Sequence, residues 1–300
     1  MLLLRRFALR TAGFGGAAAL STASCARSES AAPQLFRLDG RVALVTGSSR
    51  GIGYAIAVGL AEQGAHVVMS GTNKERVESA RLALLSDTGV NPDKISCVAF
   101  NVTDEQGCID AVQAVARQTG RTPDILVNNA GLNHRTALDD FTTERFEHVL
   151  RANLVGPFIL ARECAPGMRE RGWGRIVNVG SIMGHVGRAG MHAYCSSKHG
   201  IAGLTKTLAA ELGEFGICVN CVEPGYIRTD LTKGLQAVEA FEAEVTNRTP
   251  VGRWGVPREM AGPAVFLCTD AAGYVNGAQL VADGGMIETF HGGPMVAKIK

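Results

Sequence analysis

From residue 38 onward, short apolar runs rich in β-branched residues alternate with longer amphipathic stretches. RVALVTG (41–47), AHVVMSG (65–71), KISCVAFNV (94–102), DILVNNAG (124–131), GRIVNVGS (174–181), ICVNCVEPG (217–225) and QLVADGG (279–285) read as strands. They are apolar on successive positions, as expected of strands covered on both faces. Between them, IGYAIAVGLAEQG, KERVESARLALLSD and DEQGCIDAVQAVARQTG carry helical periodicity. So do a stretch around 142–171, one ending near Gly213, residues 230–248, and EMAGPAVFLCTD. Repeated βα units predict an α/β fold: a single doubly wound parallel sheet flanked by helices on both faces. No repeat and no linker divides residues 38–290, so 33–290 is expected to be one domain, with 291–300 a C-terminal tail.

The first 32 residues break the pattern. They are basic at the start, Gly/Ala-rich in the middle and free of acid before Glu29. That is the composition of a targeting leader. Arg5 and Arg6 followed by Leu9 and Arg10 resemble a twin-arginine export signal. A mitochondrial transit peptide shares the Arg- and Ser-rich, acid-poor character, and a start codon placed too early leaves the protein cytoplasmic. Without these residues the chain holds 26 basic and 27 acidic side chains, so the formal charge of +2 becomes −1. This balance gives no electrostatic reason for nucleic-acid binding. No later run is apolar for long enough to span a bilayer.

Seven of the eight cysteines fall in predicted strands and helices, as buried free thiols do. Cys218 and Cys221 have the spacing of a redox or metal pair. On a strand they face opposite sides, and no second pair lies nearby, so no metal is expected.

TGSSRGIG (46–53) joins the first strand to the first helix, with Gly47, Gly51 and Gly53. Glycines there let a pyrophosphate approach the backbone and the helix start, where amides and dipole favour an anion. No Gly-Lys-Ser/Thr follows, which argues against a triphosphate-binding loop.

AYCSSKHG places Tyr194 and Lys198 four residues apart on one helix face. Such a pair is common on surface helices. It is also what a proton-transfer site needs. A phenol with a pKa of about 10 is a poor base near neutrality, and an adjacent ammonium lowers it. GSIMG around Ser181 is not G-x-S-x-G, so a serine hydrolase elbow is absent.

TGSSRGIG, NNAG (128–131), Asn153 in RANLVG, Ser181, YCSSK and PGYIRTDL (224–231) occur in the order and spacing of the short-chain dehydrogenases/reductases, which the chain resembles over residues 38–288. The resemblance implies a Rossmann-type fold and a catalytic set of Asn153, Ser181, Tyr194 and Lys198. Tyr194 would be the general acid/base. Lys198 would hold the nicotinamide ribose and tune Tyr194, Ser181 would bind the substrate oxygen, and Asn153 would support a water relay. Cofactor contacts would come from Gly47, Ser49, Arg50, Gly51, Ile52, Gly53, Thr72, Asn73, Asn101, Val102, Asn128, Ala130 and Gly131. Tyr194, Lys198, Pro224, Gly225, Ile227 and Thr229 would complete them. A homodimer or homotetramer is also implied.

NAD-binding members place a carboxylate at the end of the second strand. Gly71 stands there in this chain, and Arg50 can reach a 2′-phosphate, which favours NADP over NAD. Within the family, LFRLDGRVALVTG, NHR after NNAG, and RTPVGRWGVPREMAG are most similar to gluconate 5-dehydrogenases, and 3-oxoacyl-acyl carrier protein reductases come next. The expected reaction is interconversion of a secondary alcohol and a ketone on a small molecule such as gluconate/5-ketogluconate. The alternatives are 3-oxoacyl thioester reduction and a non-catalytic cofactor-binding sensor or scaffold. Arg135, Arg188 and His192 lie on loops around the expected reaction centre and are candidates for holding a substrate anion. His185 shares the loop with Arg188, and a solvent-facing position suits either histidine equally.

Overall fold

A computed structural model of the chain describes residues 34–289. Seven strands form one parallel sheet in the order β3-β2-β1-β4-β5-β6-β7. They are β1 (Val42–Val45), β2 (His66–Gly71), β3 (Ile95–Ala99), β4 (Ile125–Asn128), β5 (Gly174–Val179), β6 (Ile217–Pro224) and β7 (Gln279–Ala282). The helices are α1 (Gly51–Glu62), α2 (Lys74–Thr88), α3 (Glu105–Thr119), α4 (Thr143–Leu150), α5 (Gly156–Arg171), α6 (His192–Leu212), α7 (Lys233–Gln236), α8 (Glu239–Arg248) and α9 (Ala261–Cys268). This is the doubly wound Rossmann-type sheet that the alternation predicts.

The period-two rule assigns the two faces. Ala43 and Val45 of β1 pack with Ile56, Leu60 and Val265 from α1 and α9. Val42 and Leu44 pack on the opposite face with Val112, Ile159 and Leu160 from α3 and α5. Burial on both faces explains why the strands read as continuous apolar runs. Strand order reverses between β1 and β4, so a crevice opens above their carboxyl ends.

Two helices differ from the sequence-based expectation. The stretch 142–171 is interrupted at Arg151–Val155 by a π turn. Pro157 has no N–H to give to the carbonyl four residues back, that of Asn153, and the helix widens there. The stretch 230–248 is two helices, α7 and α8, parted at Val238, whose backbone is extended. Cys218 and Cys221 are both buried in β6. The expected leader and C-terminal tail fall outside the described residues. Among those described, no helix is long and apolar enough to cross a membrane, and no group of three His, Cys, Asp or Glu could hold a metal.

Candidate active site

The turn after β1 is held by hydrogen bonds from its neighbours. Thr46 Oγ1 accepts from the amides of Asn129 and Ala130 at 2.9 Å each. Asn129 Nδ2 donates to the carbonyls of Thr46 and Gly47, at 2.8 and 3.1 Å. Ser48 Oγ donates to Val45 and accepts from the Ser70 amide. Gly47 and Gly51 have φ of 63° and 59°, a region that glycine alone visits freely. A Cβ at Gly53 would stand 2.6 Å from the Gly47 carbonyl oxygen, so the start of α1 packs directly on the turn. Arg50 precedes α1 without making a side-chain cap, which leaves the first amides of that helix to the crevice.

The crevice is a cavity of about 530 Å³. Gly47, Ser49, Arg50, Gly51, Ile52 and Gly53 form its floor at the turn, and Thr72, Asn101 and Val102 its far end. Ala130 and Gly131 from the end of β4 line it, as do Pro224, Gly225, Ile227 and Thr229 after β6. Two residues expected there lie elsewhere. Asn73 caps α2, its Oδ1 accepting from the Arg76 amide at 2.7 Å. Asn128 is buried and donates to Asn178 Oδ1 at 2.9 Å, and Asn178 donates in turn to Thr205 on α6. Among the crevice residues not foreseen from the sequence is Arg76, in the first turn of α2, which joins Arg50 as a second guanidinium. Its sequence signal is weak, because an arginine at a helix start reads as a surface residue.

Ser181, Tyr194 and Lys198 line the crevice where β5 and α6 meet, whereas Asn153 is not in its lining and contacts Leu132 and Ser197 instead. Lys198 is buried, and its Nζ donates to the Val179 carbonyl at 2.7 Å. The same Nζ lies 5.5 Å from the centre of the Tyr194 ring. Burial pushes the Lys198 ammonium down to about 8, against the opposing pull of Cys221 and Glu223. Burial likewise raises the Tyr194 phenol, and the Ser181 hydroxyl and the Arg135 guanidinium draw it back. Ser181 Oγ accepts from the Met183 amide at 3.1 Å, so its own O–H is free to point at the cavity. Asn153 is fixed within the π turn. Its Oδ1 accepts from the Leu132 amide at 2.8 Å, and its Nδ2 donates to the Leu132 carbonyl and to Ser197 Oγ.

A second cavity of about 340 Å³ adjoins the first. Ser181, Tyr194, Gly225, Leu231 and Thr232 line both, so the hydroxyls of Ser181 and Tyr194 stand at the junction. Asn133 and Arg135 supply its polar wall, and Ile182, Met183, Met191 and Leu235 its apolar one. Among the described residues Arg135 has no carboxylate partner. Arg188 and His192 are not in this lining. Arg188 donates to the Tyr226 hydroxyl at 2.8 Å and pairs with Glu244 at 3.4 Å, lying over the Phe241 ring. His192 stacks edge-on against Phe141 at 5.5 Å. His185 bonds through Nε2 to Glu223, a carboxylate buried at the end of β6. The strand pattern gave Glu223 no prominence, because it continues an apolar run.

Known proteins share this architecture. Residues 47–287 match the family described as Enoyl-(Acyl carrier protein) reductase. The chain is 41% identical to gluconate 5-dehydrogenase of Gluconobacter oxydans, an alignment covering 85% of this chain and 97% of the relative. It is 37% identical to a 3-oxoacyl-acyl-carrier-protein reductase of Aquifex aeolicus, over 83% of this chain and 98% of that protein. The crystal structure of a gluconate 5-dehydrogenase from Burkholderia cenocepacia, in complex with NADP and tartrate, superposes with a TM-score of 0.81. It is 37% identical, with 86% of this chain and all of that one covered. With the sheet order, the glycine turn and the Ser181–Tyr194–Lys198 cluster in place, the chain belongs to the short-chain dehydrogenase/reductase family and is an oxidoreductase similar to the gluconate 5-dehydrogenases.

Proposed function

We propose that this protein interconverts a secondary alcohol and a ketone on a small sugar acid of the gluconate/5-ketogluconate kind, with NADP as cofactor and Tyr194 as the general acid/base. The observation that carries the reading is the junction: Ser181 and Tyr194 line both a long crevice and a smaller cavity beside it. A cofactor in the first and a substrate in the second would meet at those hydroxyls.

The crevice suits a phosphorylated dinucleotide. Positive-φ glycines and an uncapped helix start offer amides to a pyrophosphate. Arg50 and Arg76 flank the end of β2, where Gly71 takes the place of a carboxylate. Thr72 and Asn101 would border the adenosine half, and Ile227 and Thr229 the carboxamide. The nicotinamide supplies or accepts a hydride. This chain's residues manage the proton and the geometry. In reduction, Ser181 donates a hydrogen bond to the carbonyl oxygen, because its own Oγ already accepts from Met183. Tyr194 gives its proton to that oxygen as negative charge develops. Lys198, held at the Val179 carbonyl, offsets the charge left on Tyr194. Asn153, braced by Leu132 and Ser197, holds the α4–α5 turn against this cluster. Arg135 is the cation placed to meet a substrate carboxylate.

A panel of gluconate, 5-ketogluconate, an acetoacetyl thioester and simple ketones, each with NADP(H) and NAD(H), tests the reading. Turnover of the sugar acid above the others, with NADP preferred, is expected. The apolar wall of Ile182, Met183, Met191 and Leu235 favours 3-oxoacyl thioesters as the second reading. A homo-oligomer accompanies both, and a monomeric mass at micromolar concentration would overturn it.

A further inference from the structure

Glu223 is fully buried at the carboxyl end of β6, one residue before Pro224 of the crevice. A carboxylate so placed costs several kcal/mol unless hydrogen bonds and an opposite charge compensate. Room is made for it on purpose by two glycines. A Cβ at Gly180 would stand 2.8 Å from Glu223 Cγ, and one at Gly184 would stand 2.9 Å from the Lys198 carbonyl oxygen and 3.6 Å from Glu223 Oε1. The carboxylate therefore sits under the strand end that bears Ser181 and beside the turn of α6 that bears Lys198. Every neighbouring element contributes to holding it. The loop after β5 gives His185, whose Nε2 meets Oε2. β7 gives Gln279, whose Nε2 donates to Oε1 at 3.0 Å. β6 itself gives the Cys221 thiol, 3.7 Å from Oε1. On the α6 side the charged group is Lys198, whose Nζ is tied to Val179, the residue next to Gly180.

The Gly184 position joins the two residues, since a Cβ there would touch both the Lys198 carbonyl and Glu223 Oε1, and the other ionisable side chain against Glu223 on β6 is Cys221. Burial, and then Glu223 itself, push the Cys221 thiol up to about 12. Near neutrality that group is an uncharged thiol, which leaves Glu223. We propose that Glu223 is a positioning residue for the Tyr194–Lys198 pair: a buried counter-charge, fastened by His185 and Gln279, that keeps Lys198 an ammonium beneath Tyr194. The proposal deepens the functional reading above and rests on it.

The test is a titration of Lys198 itself, in full-length protein carrying 13C-labelled lysine. The K198M variant assigns the resonance, and E223Q, E223A and E223D are compared with wild type. Glu223→Gln keeps shape and hydrogen-bonding capacity but removes the charge. Glu223→Ala removes the charge together with its buried polar atoms, so the result does not depend on one variant folding. Loss of the carboxylate should lower the Lys198 midpoint by about one pH unit, the size expected for one nearby opposite charge. Glu223→Asp should keep the midpoint near wild type. The alkaline limb of kcat/KM for ketone reduction should move down with the midpoint in both uncharged variants. An unmoved Lys198 midpoint in a folded E223Q or E223A protein overturns the proposal. A Tyr194→Phe enzyme that still turns over overturns instead the reading on which it rests, and the spectrum tells the two failures apart because it requires no activity.

Discussion

The Arg50 guanidinium, on the glycine turn, reaches across the mouth of the crevice to Asp230, with Nη1 3.3 Å from Oδ2. Both side chains are largely exposed, so the pair itself contributes little stability. Its importance is competitive: a 2′-phosphate in the crevice would offer Arg50 a doubly charged partner in place of one carboxylate.

Arg50→Ala should therefore weaken NADP binding by roughly tenfold or more while changing NAD binding little, since a charge-assisted contact is worth about 1.5–3 kcal/mol. Asp230→Asn should tighten NADP slightly. Arg76→Ala should act in the same sense as Arg50→Ala. Fluorescence titration with both cofactors checks all three, and equal losses for NADP and NAD would reject the phosphate role.

Tyr194→Phe should abolish turnover with cofactor affinity kept within about twofold. It removes one hydroxyl at the junction of the cavities and leaves the ring over which Lys198 lies. Losing a general acid typically costs 10²–10⁴-fold in rate. A variant retaining more than about a tenth of wild-type kcat would show that the proton comes from elsewhere.

Much of this was legible in the sequence because its physical causes are local. Strands buried on both faces announce themselves as unbroken apolar runs, and the glycine turn lies between a strand and a helix as its spacing requires. The Tyr194–Lys198 pairing follows from helical spacing alone. What escaped depends on contacts between distant segments. Glu223 reads as one more position of a buried strand, and only the fold brings His185, 38 residues away, against its carboxylate. Arg188 looked like a free loop cation until Glu244, 56 residues away, met it. The π turn at Asn153 leaves no mark on the apolar periodicity, although Pro157 gives its cause.

Lys198 should make the cofactor-free protein less stable at neutral pH than in mild alkali. Its ordinary pKa of 10.5 falls to about 8 in the folded state because the ammonium is buried. Below about pH 8 the folded chain must carry that proton at a cost. The cost fades as pH rises towards 10.5, where the unfolded chain also loses the proton. Each unit of depression is worth about 1.4 kcal/mol. Lys198→Met should therefore flatten the slope between pH 8 and 10, while its Tm at pH 7 gains what the buried ammonium costs and loses the Val179 hydrogen bond and the charge facing Glu223. Thermal unfolding of both proteins across that range checks it. A methionine variant that keeps the wild-type slope between pH 8 and 10 would mean that Lys198 is not the group that titrates there.

Arg135 and Arg188 should separate cleanly when each is replaced by Ala. Arg135 lines the cavity beside Tyr194 and has no carboxylate partner among the described residues, so its charge is available to a substrate. Arg188 has Glu244, Tyr226 and the Phe241 ring, and its loss should loosen the contact between its loop and α8. Arg135→Ala should raise KM for a sugar acid by roughly tenfold or more, the effect of one charged hydrogen-bonding partner, with kcat nearly kept and a neutral ketone nearly untouched. Arg188→Ala should lower Tm by a degree or two and change KM for acid and neutral substrates alike. Steady-state kinetics on a matched acid and neutral pair distinguishes them. If Arg135→Ala affects both substrates equally, the second cavity does not read a carboxylate. The apolar wall of Ile182, Met183, Met191 and Leu235 then becomes the selecting surface, and an acyl thioester the substrate it selects.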